Sequence, residues 1–221
     1  IKCGIKKCSE ELRQKTIITC LVIILLLVID QAIKITVKTH MAIGDQIVVF
    51  DWFRILFIEN NGMAWGLQLG SKLFLSLFRI VAVGFLIAYI HQLIKKGEPI
   101  SFILVVATIC AGAAGNIFDS LFFGQIFSES TPFSIASFVP WGDGYAPFLM
   151  GKVVDMFYFP LIHGTFPSWF PVWGGESFVF FSPIFNFADS CISVGVIVLI
   201  LFFRKRLNDT LPHKNKSNSP E

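Results

Sequence analysis

A chain of 221 residues that is 54% hydrophobic and only 15% charged, with a mean hydropathy of +0.70, fits no water-soluble class and reads as an integral membrane protein. The net charge of +3 is small and the basic residues lie mostly in short flanks, where they set orientation; nucleic acid is not an expected partner. The 25 Phe and 5 Trp exceed what a small core needs and suit lipid-facing surfaces and interfacial belts.

Lys2, Lys6, Lys7, Arg13 and Lys15 precede a first apolar run, about 17–37. At ~1.5 Å per residue it crosses a hydrocarbon core of about 30 Å. Asp30, Gln31 and Lys34 interrupt it near the far end, Asp30 and Lys34 being i,i+4 with the acid first, the favourable order. The run is too long for a cleavable signal peptide and no small-residue cleavage site follows it. The chain opens at Ile1 without Met, so trimming of the extreme N-terminus is expected.

Residues 42–61 change character. Two short β-branched and aromatic runs, Ile47–Phe50 and Phe53–Ile58, predict a small sheet at the membrane surface, ending at Asn60–Asn61–Gly62. A second span, about 73–93, follows Met63–Gly66 and stops at Lys95–Lys96–Gly97; Arg79 inside it receives no role. The third span, about 100–123, carries Ala111–Gly112–Ala113–Ala114–Gly115, small residues that let another helix approach. Asn116 and Asp119 follow on one face.

About sixty residues, 124–183, come next, rich in Phe, Pro, Gly, Trp and Ser, with Lys152 as their one Lys or Arg. They read either as an interfacial loop with aromatic anchors or as a lid. The fourth span, about 184–203, places Asn186 and Asp189 at its mouth and ends at Arg204–Lys205–Arg206; the polar tail beyond is expected to be disordered. An Asp inside a membrane helix costs roughly 2.5–3.5 kcal/mol at mid-bilayer, so Asp189 needs a reason. Cys3, Cys8, Cys20, Cys110 and Cys191 form no CxxC pair and read as unpaired thiols, and the four scattered His, His163 among them, suggest neither a metal cluster nor a nucleophile's base.

Of the 18 Lys and Arg, five precede the first span, two lie between the second and third, and five follow the fourth. Both termini are therefore expected in the cytoplasm. The polar residues of all four spans then fall at one level, the outer boundary of the membrane, within reach of Asp155. We expect Asp155 and Asp189 to face each other across a water-accessible pocket and share a proton, since two close carboxylates cannot both ionise.

Five ordered motifs, Asp30-Gln31-x-x-Lys34, Asn60-x-Gly62-x-Ala64-Trp65-Gly66, Gly112-x-x-Gly115-Asn116-x-x-Asp119, Val153-Val154-Asp155 and Phe185-Asn186-x-Ala188-Asp189, resemble those of bacterial lipoprotein signal peptidase (signal peptidase II). The resemblance runs from Asp30 to Asp189. It implies four transmembrane helices with a small extracytoplasmic β-sheet; together with the runs read above, the expected fold is a mainly α membrane protein in one domain over 1–221 that also carries a long aromatic-rich extracytoplasmic insertion. It also implies an inner-membrane aspartic endopeptidase without cofactor or metal, cleaving prolipoproteins just before a diacylglyceryl-modified cysteine. Asp155 and Asp189 fall on the catalytic positions; Asp30, Lys34, Asn60, Gly62, Asn116, Asp119 and Asn186 fall on those that orient the pair or bind substrate. Expected partners are the diacylglyceryl prolipoprotein and membrane lipid, around a monomer.

Two departures stand out: Ser120 replaces the Arg that usually follows Asp119, and 124–151 is longer than the family pattern. The alternatives from other classes are a proton-coupled small-solute carrier and a non-catalytic lipid-binding factor. Against the carrier, no inverted repeat is evident and the polar groups gather at one boundary.

Overall fold

A long apolar run in lipid folds as a helix because only there is every backbone N–H and C=O satisfied within the segment. In the computed structural model, which describes residues 2–64, 67–68, 72–180 and 182–210, three runs do so: α1 (Lys2–His40), α2 (Lys72–Lys95) and α3 (Ile100–Phe118). A π turn, Asp119–Phe123, and the short α4 (Gly124–Ile126) continue α3. Helical segments Ser9–His40, Lys72–Lys95 and Ile100–Ile126 are long and apolar enough to cross a membrane. A fourth candidate is α5 (Phe187–Phe202), which meets α6 (Arg204–Thr210) at an 89° bend. Outward apolar side chains such as Ile24, Phe78, Phe85, Ile197 and Phe202 are exposed, as lipid-facing surfaces require.

The glycines of α3 explain how the helices close up. A Cβ on Gly112 would collide with the Ala188 carbonyl of α5, and one on Gly115 would stand 2.5 Å from Asp30 Oδ2 of α1. Only a bare Cα lets α3 serve as the central helix at this level.

The principal sheet is antiparallel in the order β1 (Gln46–Phe50), β2 (Phe53–Asn60), β5 (Val153–Tyr158), β8 (Ile184–Phe185). Two hairpins stand apart, β3 (Met63–Ala64) with β4 (Leu67–Gln68), and β6 (Ile162–Thr165) with β7 (Ser177–Phe180). In the β2–β5 register Ile58 faces Asp155, Glu59 faces Val154 and Asn60 faces Val153.

Several boundaries differ from the sequence reading. The helix expected over 184–203 starts three residues later, because 184–185 pair with β5 and Asn186 caps the helix. The expected 100–123 helix changes to the wider π turn at Asp119, where Gly151 packs against the Asp119 carbonyl. The 124–183 stretch is three pieces: a loop packed on the protein, the sheet strand β5 and an outlying hairpin. Residues just past Arg206 are helical to Thr210, whose hydroxyl lies 2.6 Å from Tyr89 Oη. The tail from 211 on, Trp65 and Gly66, and the side chains of Cys3, Cys8 and His163 lie outside the described residues; Cys20, Cys110 and Cys191 are free thiols.

Candidate active site

Asp155 and Asp189 reach the same place by different routes. Asp155 sits on β5, whose first four residues are buried, and is 2% exposed. Asp189 occupies the first turn of α5 and is partly exposed. Its place follows from a capping box: the Asn186 side-chain oxygen accepts from Asp189 N at 2.9 Å, while Asp189 Oδ2 accepts from Asn186 N at 3.3 Å. Two donors at the helix start that would otherwise be unpaired are thereby satisfied.

Asparagines join the two acids. Asn186 Nδ2 donates to Asp155 Oδ1 at 2.6 Å and to Asn116 Oδ1 at 3.1 Å, and Asn116 Nδ2 donates to Asp189 Oδ1 at 2.8 Å. Asn60 Nδ2 donates to Asp155 Oδ2 at 3.3 Å. The Asn60 side-chain oxygen accepts from Gly62 N at 2.8 Å, in a turn that holds Gly62 at φ +92°, which favours glycine. Burial, and after it the charge of Asp189, push the Asp155 carboxyl from its usual 3.8 up to about 7.

Beneath the pair lies a second group. Lys34, fully buried, touches Asp30 Oδ2 and Asp119 Oδ2 at 2.9 Å each and donates to Asn116 Oδ1 at 2.9 Å. Asp30 Oδ1 accepts from Ala188 N at 3.0 Å, so α1 also fixes the start of α5. Asp119 Oδ2 accepts from Val154 N at 3.3 Å, tying the π turn to β5. The i,i+4 pair anticipated at the interface is thus a buried three-charge centre, where isolated charges would be prohibitive and mutual pairing is obligatory.

All nine site residues named from sequence meet here: Asp30, Lys34, Asn60, Gly62, Asn116, Asp119, Asp155, Asn186 and Asp189. Gln31 was in a motif but not among them; its Nε2 donates to Asp119 Oδ1 at 2.9 Å and to the Gly115 carbonyl at 3.2 Å. Ser120 is 1% exposed and its hydroxyl bonds back to the Asn116 carbonyl at 3.1 Å. Arg79 lies half-buried on α2, one turn from buried Ser76, and the acids acting on it electrostatically are Asp189, Asp119 and Asp155.

The family model described as Signal peptidase (SPase) II matches residues 22–205, which include every one of these side chains. The chain belongs to the signal peptidase II family. This is an aspartic peptidase family. The lipoprotein signal peptidase of Porphyromonas gingivalis is 56% identical over 193 residues, 87% of this chain and 85% of that one. That of Amoebophilus asiaticus is 36% identical over 185 residues, 80% and 74% of the two chains. A bacterial membrane enzyme solved by the in meso method at 2.3 Å resolution shares the fold with a TM-score of 0.56 at 26% identity, over 91% of this chain and 94% of the other. As a signal peptidase II, the chain is a membrane-embedded aspartic endopeptidase, and the asparagine-bridged acids are its candidate machinery.

Proposed function

We propose that Asp155 and Asp189 are the catalytic pair of this signal peptidase II, and that it cuts prolipoproteins immediately before the diacylglyceryl-modified cysteine. The observation that carries the reading is the Asp155–Asn186–Asn116–Asp189 hydrogen-bond chain, which holds one buried and one partly exposed carboxyl in a fixed relation.

With its carboxyl raised to about 7, Asp155 keeps the shared proton near neutrality, and Asp189 serves as the carboxylate. Asp189 takes a proton from water as the water oxygen attacks the scissile carbonyl carbon, while Asp155 gives its proton to the carbonyl oxygen. When the tetrahedral intermediate collapses, the C–N bond breaks. Asp189 passes its proton to the departing cysteine nitrogen, and a hydroxyl proton of the intermediate returns to Asp155. The asparagines leave neither acid to rotate between steps.

The whole chain acts as one membrane unit of four spans, α5 with α6 supplying the fourth, in the bacterial inner membrane with both termini cytoplasmic. The sheet and 124–183 then lie outside, with the pair near the periplasmic face. An apolar groove of about 360 Å³ opens between α1, α2 and α3, lined by Leu27, Val83, Ala114 and Ile117 beside Asn116, and it suits an acyl chain of the substrate. A single copy contains all the groups the mechanism uses.

The test is cleavage of a purified diacylglyceryl prolipoprotein, read as a mobility shift. Asp155→Asn and Asp189→Asn should insert normally and give no product. Product from either variant at near the parent rate overturns the assignment.

A further inference from the structure

Behind the strand pair that carries Asp155 lies a second buried ionic cluster which this mechanism does not use. Glu59 is the residue before Asn60, and successive strand residues point to opposite faces, so Asn60 turns toward Asp155 while Glu59 turns away from it. On that far face, beside Phe57, Val154 and Met156, Glu59 meets two lysines from elsewhere in the chain. Lys38, fully buried on α1, donates to Glu59 Oε1, and Lys152, immediately before β5, stands 3.2 Å from Glu59 Oε2. Ser130 completes the cluster: its hydroxyl donates to Glu59 Oε1 at 2.9 Å and accepts from Lys38 Nζ at 2.8 Å.

Tyr145 lies between the ammonium groups, 4.8 Å from Lys38 Nζ and 5.2 Å from Lys152 Nζ to the ring centroid, and its hydroxyl accepts from Lys152 N at 2.7 Å. Glu129, on the surface, stands 3.6 Å from Lys152.

Stability alone does not account for such a cluster. Desolvating three charges costs about what their attraction returns, and apolar residues of the same volume would hold these elements together as well. What charges add is geometry. Glu59 contacts one lysine with each carboxylate oxygen, and those lysines belong to α1 and to the residue just before β5, so Glu59 ties β2 to both segments. A shift of one residue in that register would take Asn60 off Asp155.

We propose that Lys38, Glu59 and Lys152 are positioning residues for the acid pair, fixing the β2–β5 register so that Asn60 holds the Asp155 carboxyl. The proposal rests on the reading of Asp155 and Asp189 as catalytic. Through Ser130, Tyr145 and Lys152 the 127–152 loop becomes a brace behind the site.

The test uses the full-length enzyme in detergent with the diacylglyceryl prolipoprotein. Lys152→Met removes a partly exposed ammonium, and kcat should fall about tenfold, with KM within about twofold and the unfolding temperature nearly unchanged. Lys152→Arg should restore kcat. In an Asn60→Ala background, Lys152→Met should cost less than about twofold, because its effect passes through Asn60. Glu59→Gln alone buries the Lys38 ammonium without a counter-charge and can prevent folding, so Lys38→Met with Glu59→Gln is the second variant, expected to show the same kcat loss. An unchanged kcat in both variants, or a Lys152→Met effect as large without Asn60 as with it, overturns the proposal. Asp155→Asn in the same assay separates the two readings: if it still cleaves, the catalytic assignment is what has failed.

Discussion

Asp155→Asn should change sign as a stability mutation with pH. The unfolded chain releases the Asp155 proton near pH 3.8, the folded one near 7, so between those values the native state holds a proton the unfolded state has lost. Native stability is therefore highest below that window and falls as pH rises through it. Roughly three pK units at about 1.36 kcal/mol each make the ionised carboxyl cost about 4 kcal/mol above pH 7. Asparagine has the same shape and no charge to bury, but its NH2 meets the Asn60 donor and loses one hydrogen bond, about 1 kcal/mol. The variant should be about 1 kcal/mol less stable than the parent at pH 3, where the carboxyl is protonated in both states, should cross it between about pH 4 and 5, and should be about 3 kcal/mol more stable at pH 8. Unfolding in detergent followed by tryptophan fluorescence across this range measures both. Parallel stability curves, with a difference independent of pH, would show that Asp155 is not the group holding the proton.

Lys34→Met leaves Asp30 and Asp119 buried without their cation and should cost about 3–5 kcal/mol in the same unfolding assay; adding Asp30→Asn and Asp119→Asn should recover most of it. Asn186→Ala removes both the α5 cap and the donor to Asp155. About 1 kcal/mol of stability should go with the cap, and kcat should drop about a hundredfold with the lost orientation. The hairpin β6–β7 exposes Trp169, Val172 and Trp173, with stacked Phe166 and Phe170 behind them. If it lies at the outer membrane boundary, a variant keeping Trp169 alone should be quenched by brominated lipid in vesicles and shielded from aqueous iodide; the opposite pattern would place the hairpin in water.

The helices and the acids were legible because their signals are local. Each long apolar run allows only a helix in lipid, and each polar residue within one demanded a partner at the same depth. Gly112 and Gly115 announced close helix contact, and the structure puts α5 and Asp30 against them. What escaped sequence reasoning is long-range pairing. Nothing near Val153 says that it lies opposite Asn60, ninety-three residues earlier, since strand register is set by tertiary packing. The Glu59–Lys152 contact escaped for the same reason, although Lys38 one turn past Lys34, and Glu59 beside Asn60, were signals available to a stricter reading. Treating 124–183 as one insertion hid that its middle supplies a strand to the principal sheet.

One acid is borne by a strand and the other by a helix, and that division has a kinetic meaning. On the proposed assignment, a displacement of the sheet relative to the helical bundle would draw the two carboxyls apart while leaving each element intact. If the pair is catalytic, an inhibitor need not resemble the peptide at all: a wedge that parts Asp155 from the Asn186 amide would silence the enzyme, and its departure would let the halves come back together.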